Sequence, residues 1–367
     1  MSIAKVAQFA GVSTSTVSRV INAHPSVAPA TKRSVREAIE HLGFTPLHKK
    51  IGRGEAGSTG KPVGTLGFFV LGADGARPAP GFFRLLQGVT AASEKHGVNV
   101  AVSFVSDLSQ VPGKIEKSHF DGLLLHGELP PASIENHLKR IPSVWLMANR
   151  QRPTWGDQVM PENIVVGELA AWYLTQRGHR HLAYVGVGCN SWFVGVRILA
   201  FEHAAAEKEA AAIVLTIPES PADRLGQAPI SNEIGEAIVD RLMQIAPKTT
   251  GLFVAEDRML PAIYTALGRR GISIGPDKDI EIISCNYEQP HFLNLRPNPA
   301  SIDIRPEAIG ECGVNRLLWK IRHPDSGERM KIMIEPIVIE PAASLPESPP
   351  ESETNHIRIS VKQEELV

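Results

Sequence analysis

Ser13, Thr14, Ser15, Thr16, Ser18, Arg19 and Asn22 fall within ten residues, a density of hydroxyl, amide and guanidinium groups suited to touching nucleic acid. Hydroxyls pair with donors or acceptors on base edges, and arginine takes guanine through two parallel hydrogen bonds. Their spacing predicts a helix with two faces. Val17, Val20 and Ile21 repeat at the i, i+3, i+4 interval of a buried stripe, which leaves Thr14, Ser15, Ser18, Arg19 and Asn22 on the other side. Gly11 supplies the backbone freedom of a sharp turn before it, and Ser13 is placed to cap it. An earlier short helix and a later one carrying Val35, Ala38, Ile39 and Leu42 complete a miniature core.

Charge separates this head from the rest of the chain. Residues 1 to 53 hold eight Lys or Arg against Glu37 and Glu40, a balance of +6, whereas the 367-residue chain carries −1 and so leaves −7 on the remainder. A basic head on an acidic body fits a segment whose partner is a polyanion.

Through Val6-Ala7, Ala10-Gly11-Val12-Ser13, Thr16-Val17-Ser18-Arg19-Val20, Asn22, Thr31, Gly43-Phe44 and Pro46, the head resembles the lactose-repressor (LacI/GalR) family of bacterial transcription regulators. The resemblance implies that Thr14, Ser15 and Arg19 approach base edges in the major groove. Ser13, Thr16, Asn22 and Thr31 suit phosphate contacts, which position without specifying. Beyond Pro46 the chain departs from the family. Leu47 replaces the usual asparagine, Arg53 stands where a wedging leucine would fall, and Gly52 and Gly54 each disfavour a hinge helix by roughly 1 kcal/mol. Two readings stand: a basic arm reaching minor groove or phosphates through Lys49, Lys50 and Arg53, or a solvated linker.

From Val63 to Leu345 strand-length apolar runs alternate with helical patterns. Thr65 to Leu71, Val98 to Val105, Gly122 to Leu125, Val144 to Met147, Leu182 to Val187, Ile213 to Ile217, Leu252 to Ala255 and Ile280 to Ser284 read as strands. The expected fold is an N-terminal all-α helix-turn-helix head plus an α/β body of two parallel-sheet lobes, with ligands at the carboxyl ends of the strands. The body resembles the family's effector domain, similar to periplasmic sugar-binding proteins, through Leu66-Gly67-Phe68-Phe69-Val70, Gly178-His179-Arg180-His181 and Phe253-Val254-Ala255-Glu256-Asp257, among others. Carried over by position, Arg197 grips ligand hydroxyl or carboxylate groups, with Asp257 and Asn286 adding polar contacts. Asp257 is equally placed to N-cap the helix after it. Asn286 stands where the family usually has aspartate, and Glu256 where it usually has asparagine. Phe82, Trp145 and Trp192 are candidates to wall or stack on a ligand ring, against the alternative that large aromatics are core.

Cys189, Cys285 and Cys312 form no close pair or zinc-site spacing, and neither a phosphate loop nor a dinucleotide fingerprint occurs. No catalytic constellation, metal or cofactor is expected. The absence of a long apolar span argues against a membrane and for the cytoplasm. Expected domains are 1–46 (DNA-binding), 47–62 (linker), 63–345 (effector binding and dimerisation) and 346–367 (a tail rich in Pro, Ser and Glu). The expected partners are a near-palindromic double-stranded operator, a small-molecule effector (sugar first, nucleobase or nucleoside second) and a second copy of the chain. The alternative is a constitutive DNA-binding regulator whose body binds a protein.

Overall fold

The computed structural model describes residues 3–21, 27–42, 63–72, 80–147, 155–188, 192–218 and 230–341. Asn22, the segment 43–62 with Lys49, Lys50 and Arg53, Cys189 and the tail 346–367 lie outside the described residues. The chain divides into two compact units, with the division between Lys61 and Pro62.

The first unit holds α1 (Ile3–Phe9), α2 (Thr14–Ile21) and α3 (Pro29–His41). Val6, Ala7, Val17, Val20, Val27, Val35 and Ala38 form its core, so the stripes read from spacing meet in one cluster. Gly11 adopts φ +63° between α1 and α2, a left-handed conformation that glycine enters without steric cost.

The second unit contains two six-stranded sheets. The first joins β1 (Thr65–Leu71), β2 (Asn99–Val105), β3 (Gly122–Gly127), β4 (Ser143–Leu146), β5 (Asp157–Pro161) and β11 (Lys331–Ile334) in the order β11-β5-β4-β3-β1-β2. The second joins β6 (His181–Val187), β7 (Ala211–Ile217), β8 (Gly251–Val254), β9 (Glu281–Cys285), β10 (Ala300–Asp303) and β12 (Ile337–Ile339) in the order β12-β10-β9-β8-β6-β7. All pairings are parallel except β10 with β12.

Helices cover both faces of each sheet, which is why the strands read as near-continuous apolar runs. In lobe one, α4 (Pro80–His96) and α11 (Pro306–Arg322) cover Leu66, Phe68, Val70 and Leu124. Phe69, Leu71, Leu123 and Leu125 point the other way, towards α5 (Val111–Ser118) and α6 (Ala132–Leu138). In lobe two, α7 (Asn163–Gln176) and α8 (Trp192–Glu207) pack on Tyr184 and Phe253, while α9 (Asn232–Ile245) and α10 (Leu260–Arg269) pack on Ala183, Val185, Leu252 and Val254.

The chain crosses between the lobes three times: from β5 into α7, from β10 into α11, and from β11 into β12. Each crossing leaves the carboxyl end of a strand, so the carboxyl edges of the two sheets confront one another.

Helices α4 and α11 approach so closely that a Cβ on Gly88 would lie 2.0 Å from the Glu307 carbonyl oxygen, and one on Gly310 would lie 2.4 Å from that of Leu85. Backbone against backbone cannot yield cheaply. Gly88→Ala is therefore expected to destabilise the body by about 1–3 kcal/mol. Gly268→Ala, at an exposed position of α10 with nothing within 4 Å of the added carbon, is expected to be neutral or stabilising by up to ~1 kcal/mol. Thermal midpoints of the two variants beside the parent check the contrast.

Candidate DNA-reading surface and effector cleft

In the head, Ser13 precedes α2, and its Oγ accepts the Thr16 amide proton at 3.2 Å, satisfying one of the helix's orphan donors. The same Oγ lies 2.8 Å from both Ser15 Oγ and Thr16 Oγ1, so the three hydroxyls form one exposed chain. Thr14, Ser15 and Arg19 are exposed and Thr16 is half-buried, whereas Val17 and Val20 face the core. Ser18 lies on α2; its side chain is outside the described set. Thr31 opens the basic face of α3, where Lys32, Arg33 and Arg36 line a shallow depression with Pro29 and Glu37. A polar reading helix backed by a dry miniature core, with cations on the next helix, supplies both base-edge and phosphate chemistry.

In the body, Arg197 comes from α8 and is only 4% exposed. Its Nε donates to Asn163 Oδ1 at 2.9 Å, and its guanidinium sits 5.5 Å from the Phe193 ring centre. Asn163 is the first residue of α7, just past the first crossing, and its Nδ2 donates to the Pro161 carbonyl at 3.1 Å. That bond orients the amide so that its oxygen faces Arg197. Trp192, at the start of α8, is 38% exposed.

Asn286 follows β9, half-buried at φ +101°, and Tyr287 follows at φ +54°. Two successive non-glycine residues in this region persist only where their surroundings fix them. Arg84 of α4 does the fixing: its Nη1 donates to the Asn286 and Tyr287 carbonyls at 3.3 and 3.4 Å. The same guanidinium binds Glu307 through Nε at 2.6 Å and Nη2 at 2.8 Å, and Asp303 through Nη2 at 2.9 Å. Arg84 thus joins lobe one, the second crossing and lobe two. Gly81 adds an amide donated to Glu288 Oε1 at 3.0 Å across the same gap. The sequence reading missed Arg84, whose only signal was a charged residue inside an otherwise apolar helical stripe.

Asp257 corrects an expectation. The N-cap of α10 is Met259, without a side-chain cap bond. The fully buried Asp257 carboxylate instead accepts the Glu288 amide at 2.7 Å and the Ser301 hydroxyl at 3.2 Å, tying the loops after β8 and β9 to β10. Burial pushes its pKa up to about 7, and the bonds from Ser284, Glu288 and Ser301 offset only part of that rise. Phe82 and Trp145 are core side chains, 6% and 1% exposed. Phe82 packs with Phe68 and Phe104, because it faces the sheet from α4, and Trp145 stands edge-on to Trp155 on the sheet face that α6 covers.

With this geometry in place, comparison with known proteins is direct. Residues 2–46 match the lacI family of bacterial regulatory proteins, and residues 171–340 match the periplasmic binding protein-like domain. The head is that of a lacI-family regulatory protein, the match running over residues 2–46. It is 27% identical over 338 residues to the HTH-type transcriptional repressor PurR of Haemophilus influenzae, covering 89% of this chain and 92% of that one. To the ribose operon repressor of Escherichia coli K12 it is 24% identical over 344 residues, covering 91% and 97%. Its fold is that of the lac repressor dimer bound to operator and the anti-inducer ONPF, at a TM-score of 0.68 with 18% identity, covering 93% of this chain and 98% of that one. The chain is a DNA-binding transcriptional regulator and not an enzyme. No helix among its described residues is long and apolar enough to cross a membrane.

Two outcomes follow. Ser13→Ala removes the cap of α2 and is expected to cost the head about 1 kcal/mol, read as a lower thermal midpoint of the first unit's transition. Asp257 binds its proton more tightly folded, at about 7, than at its ordinary value of 3.8. Its stabilising contribution is therefore complete below about pH 4 and is lost as pH rises towards 7. In urea titrations between pH 5 and 7.5, the parent should lose stability relative to Asp257→Asn as pH increases. A difference that does not change with pH contradicts this assignment.

Proposed function

We propose that this protein is a repressor whose affinity for a near-palindromic operator is set by a small molecule held between the two lobes. The observation that carries the reading is α2: a helix with Val17 and Val20 buried and Thr14, Ser15 and Arg19 exposed, on a basic head joined in one chain to a two-lobed body. In this reading Thr14, Ser15, Ser18 and Arg19 read bases, while Ser13, Thr16, Asn22, Thr31, Lys49, Lys50 and Arg53 hold phosphates. Arg197, Asn286 and Trp192 contact the effector, and Asp257 shapes the loops behind them. A sugar is the first class and a nucleobase or nucleoside the second; the name of the ribose operon repressor ties that relative to a sugar operon.

Operator symmetry calls for two copies. Because β11 and β12 are consecutive and lie at one side of their sheets, β2 and β7 lie together at the other. No strand among the described residues covers their outer edges, and Ala101 and Val102 of β2 are exposed. We assign the homodimer contact to that side. Effector binding then shifts the balance between two lobe arrangements and so changes operator affinity.

Selection of randomised duplex DNA by the purified full chain tests the reading and is expected to return a two-fold symmetric site. Arg19→Ala should relax base preference at one position per half-site, at a cost of about 1–3 kcal/mol on the selected duplex. Lys50→Ala should weaken all duplexes alike and flatten the salt dependence. Failure to enrich any site, or an equal loss on every sequence from Arg19→Ala, contradicts the assignment.

A further inference from the structure

We propose that Asp121 is the positioning residue through which the arrangement of the lobes reaches the DNA-binding head: its carboxylate fastens the entry of β1 to the loop on which the far end of α11 packs. This rests on the reading of the body as an effector-controlled module and adds the route by which that control leaves it.

Val63 is the first described residue after the segment 43–62 that joins head to body, so whatever the body does to the head passes through the backbone at 63–65. That backbone is held on both sides. The Gly64 carbonyl accepts the Asn99 amide at 3.1 Å, and the Thr65 carbonyl accepts the Asp121 amide at 2.9 Å. The Gly64 and Thr65 amides lie at the amino edge of the sheet, just before the β1–β3 pairing begins with Leu66 opposite Gly122. Asp121 Oδ2 accepts both, at 2.7 and 3.0 Å. Bonds to a charged acceptor are roughly twice as strong as neutral ones, so this carboxylate extends the grip of the sheet to the residues nearest the joining segment.

Asp121 is itself fixed by its neighbours. His119 ends α5 in a left-handed conformation at φ +50°, and the Phe120 ring stands edge-on to Phe69 at 5.6 Å. Gly122, on the other side, lies directly against α11: a Cβ there would be 2.8 Å from Ile321 Cδ1 and 2.9 Å from Leu317 Cδ1. Val63 joins the same apolar cluster as Leu317 and Ile321. The carboxyl-terminal half of α11 therefore bears on the residue next to Asp121 and on the cluster that holds Val63.

The other end of α11 stands at the second crossing. Asp303 Oδ1 accepts the Arg305 amide at 2.8 Å, and Glu307, in the first turn of the helix, receives Arg84. Glu307 and Ile321 are about 21 Å apart along a helix that rises 1.5 Å per residue. The close backbone approach to α4 at Gly88 and Gly310 leaves α11 little freedom to bend. A tilt imposed at the crossing is thus delivered at Gly122, and Asp121 passes it to the backbone that leads to the head. A rigid element with a contact at each end is a physical route for coupling, and coupling is what the test must measure.

The test is a double-mutant cycle on the full-length protein, read as affinity for the duplex selected by the parent, by fluorescence anisotropy at fixed salt. In the parent, Arg84→Ala is expected to change that affinity about fivefold or more. In an Asp121→Ala background the same substitution should change it by less than about twofold, the margin within which separated, independent sites add. Asp121→Asn, which keeps an acceptor oxygen for the two amides, should restore most of the Arg84→Ala effect, as a loss of stability alone would not require. Amide exchange over residues 63–66 serves where Asp121→Ala does not fold, and is expected to be several-fold faster in Arg84→Ala than in the parent. An Arg84→Ala effect of the same size with and without Asp121, or exchange over 63–66 that Arg84→Ala leaves unchanged, overturns the assignment of Asp121 while leaving the effector reading intact. No effect of Arg84→Ala on the parent's affinity overturns both.

Discussion

The two lobes are held in register by polar contacts at the points where the chain passes between them, and everything asked of the body depends on those contacts. At the first crossing Asn163 is pinned by the Pro161 carbonyl and in turn receives Arg197. At the second, Arg84 spans Asp303, Glu307 and the carbonyls of Asn286 and Tyr287. Hydrophobic packing builds each lobe separately, but it is indifferent to small rotations of one against the other. Directional, charge-assisted bonds are not. A ligand that touches Arg197 or Asn286 therefore acts on groups already wired to the crossings, and a modest differential affinity suffices to shift the lobe arrangement.

Burial of charge is the recurring theme of this cleft. Arg197, Arg258 and Asp257 are all nearly or wholly inaccessible, and each is handled differently. Arg258 is paired with Glu256, Asp257 is surrounded by donors and shifted towards its neutral form, and Arg197 has only an amide oxygen. Buried polar groups without full satisfaction are rare in proteins because they are costly.

The alternation of strands and helices, the three-helix head and its valine stripes were legible because each rests on local periodicity. The eight strands read from apolar runs all exist, with ends displaced by a residue or two. β5, β10, β11 and β12 escaped because they are only three to five residues long, and β5 reads Asp-Gln-Val-Met-Pro, whose polar members are buried by distant partners. Asp157, for instance, is fully buried because Arg316 and Lys320 of α11 reach it from more than 150 positions away. The same limit applies to the site. Arg197 was identified through resemblance, whereas Arg84 owes its importance to contacts that only the folded chain creates. Phe82 and Trp145 show the converse: side-chain type suggested a ligand wall, and sheet geometry turned both rings inward.

The central claim is that lobe geometry governs DNA binding by a head whose own residues are untouched. The most direct measurement is the affinity of full-length Arg84→Ala for the duplex selected by the parent, by fluorescence anisotropy at fixed salt, with folding confirmed by its thermal transition. Removing the guanidinium that joins both lobes at the second crossing is predicted to change operator affinity by roughly five- to a hundredfold, the usual range of a coupling free energy, with the salt slope unchanged. Operator affinity identical to the parent's would contradict the account, because it would mean that the arrangement of the lobes is not communicated to the head.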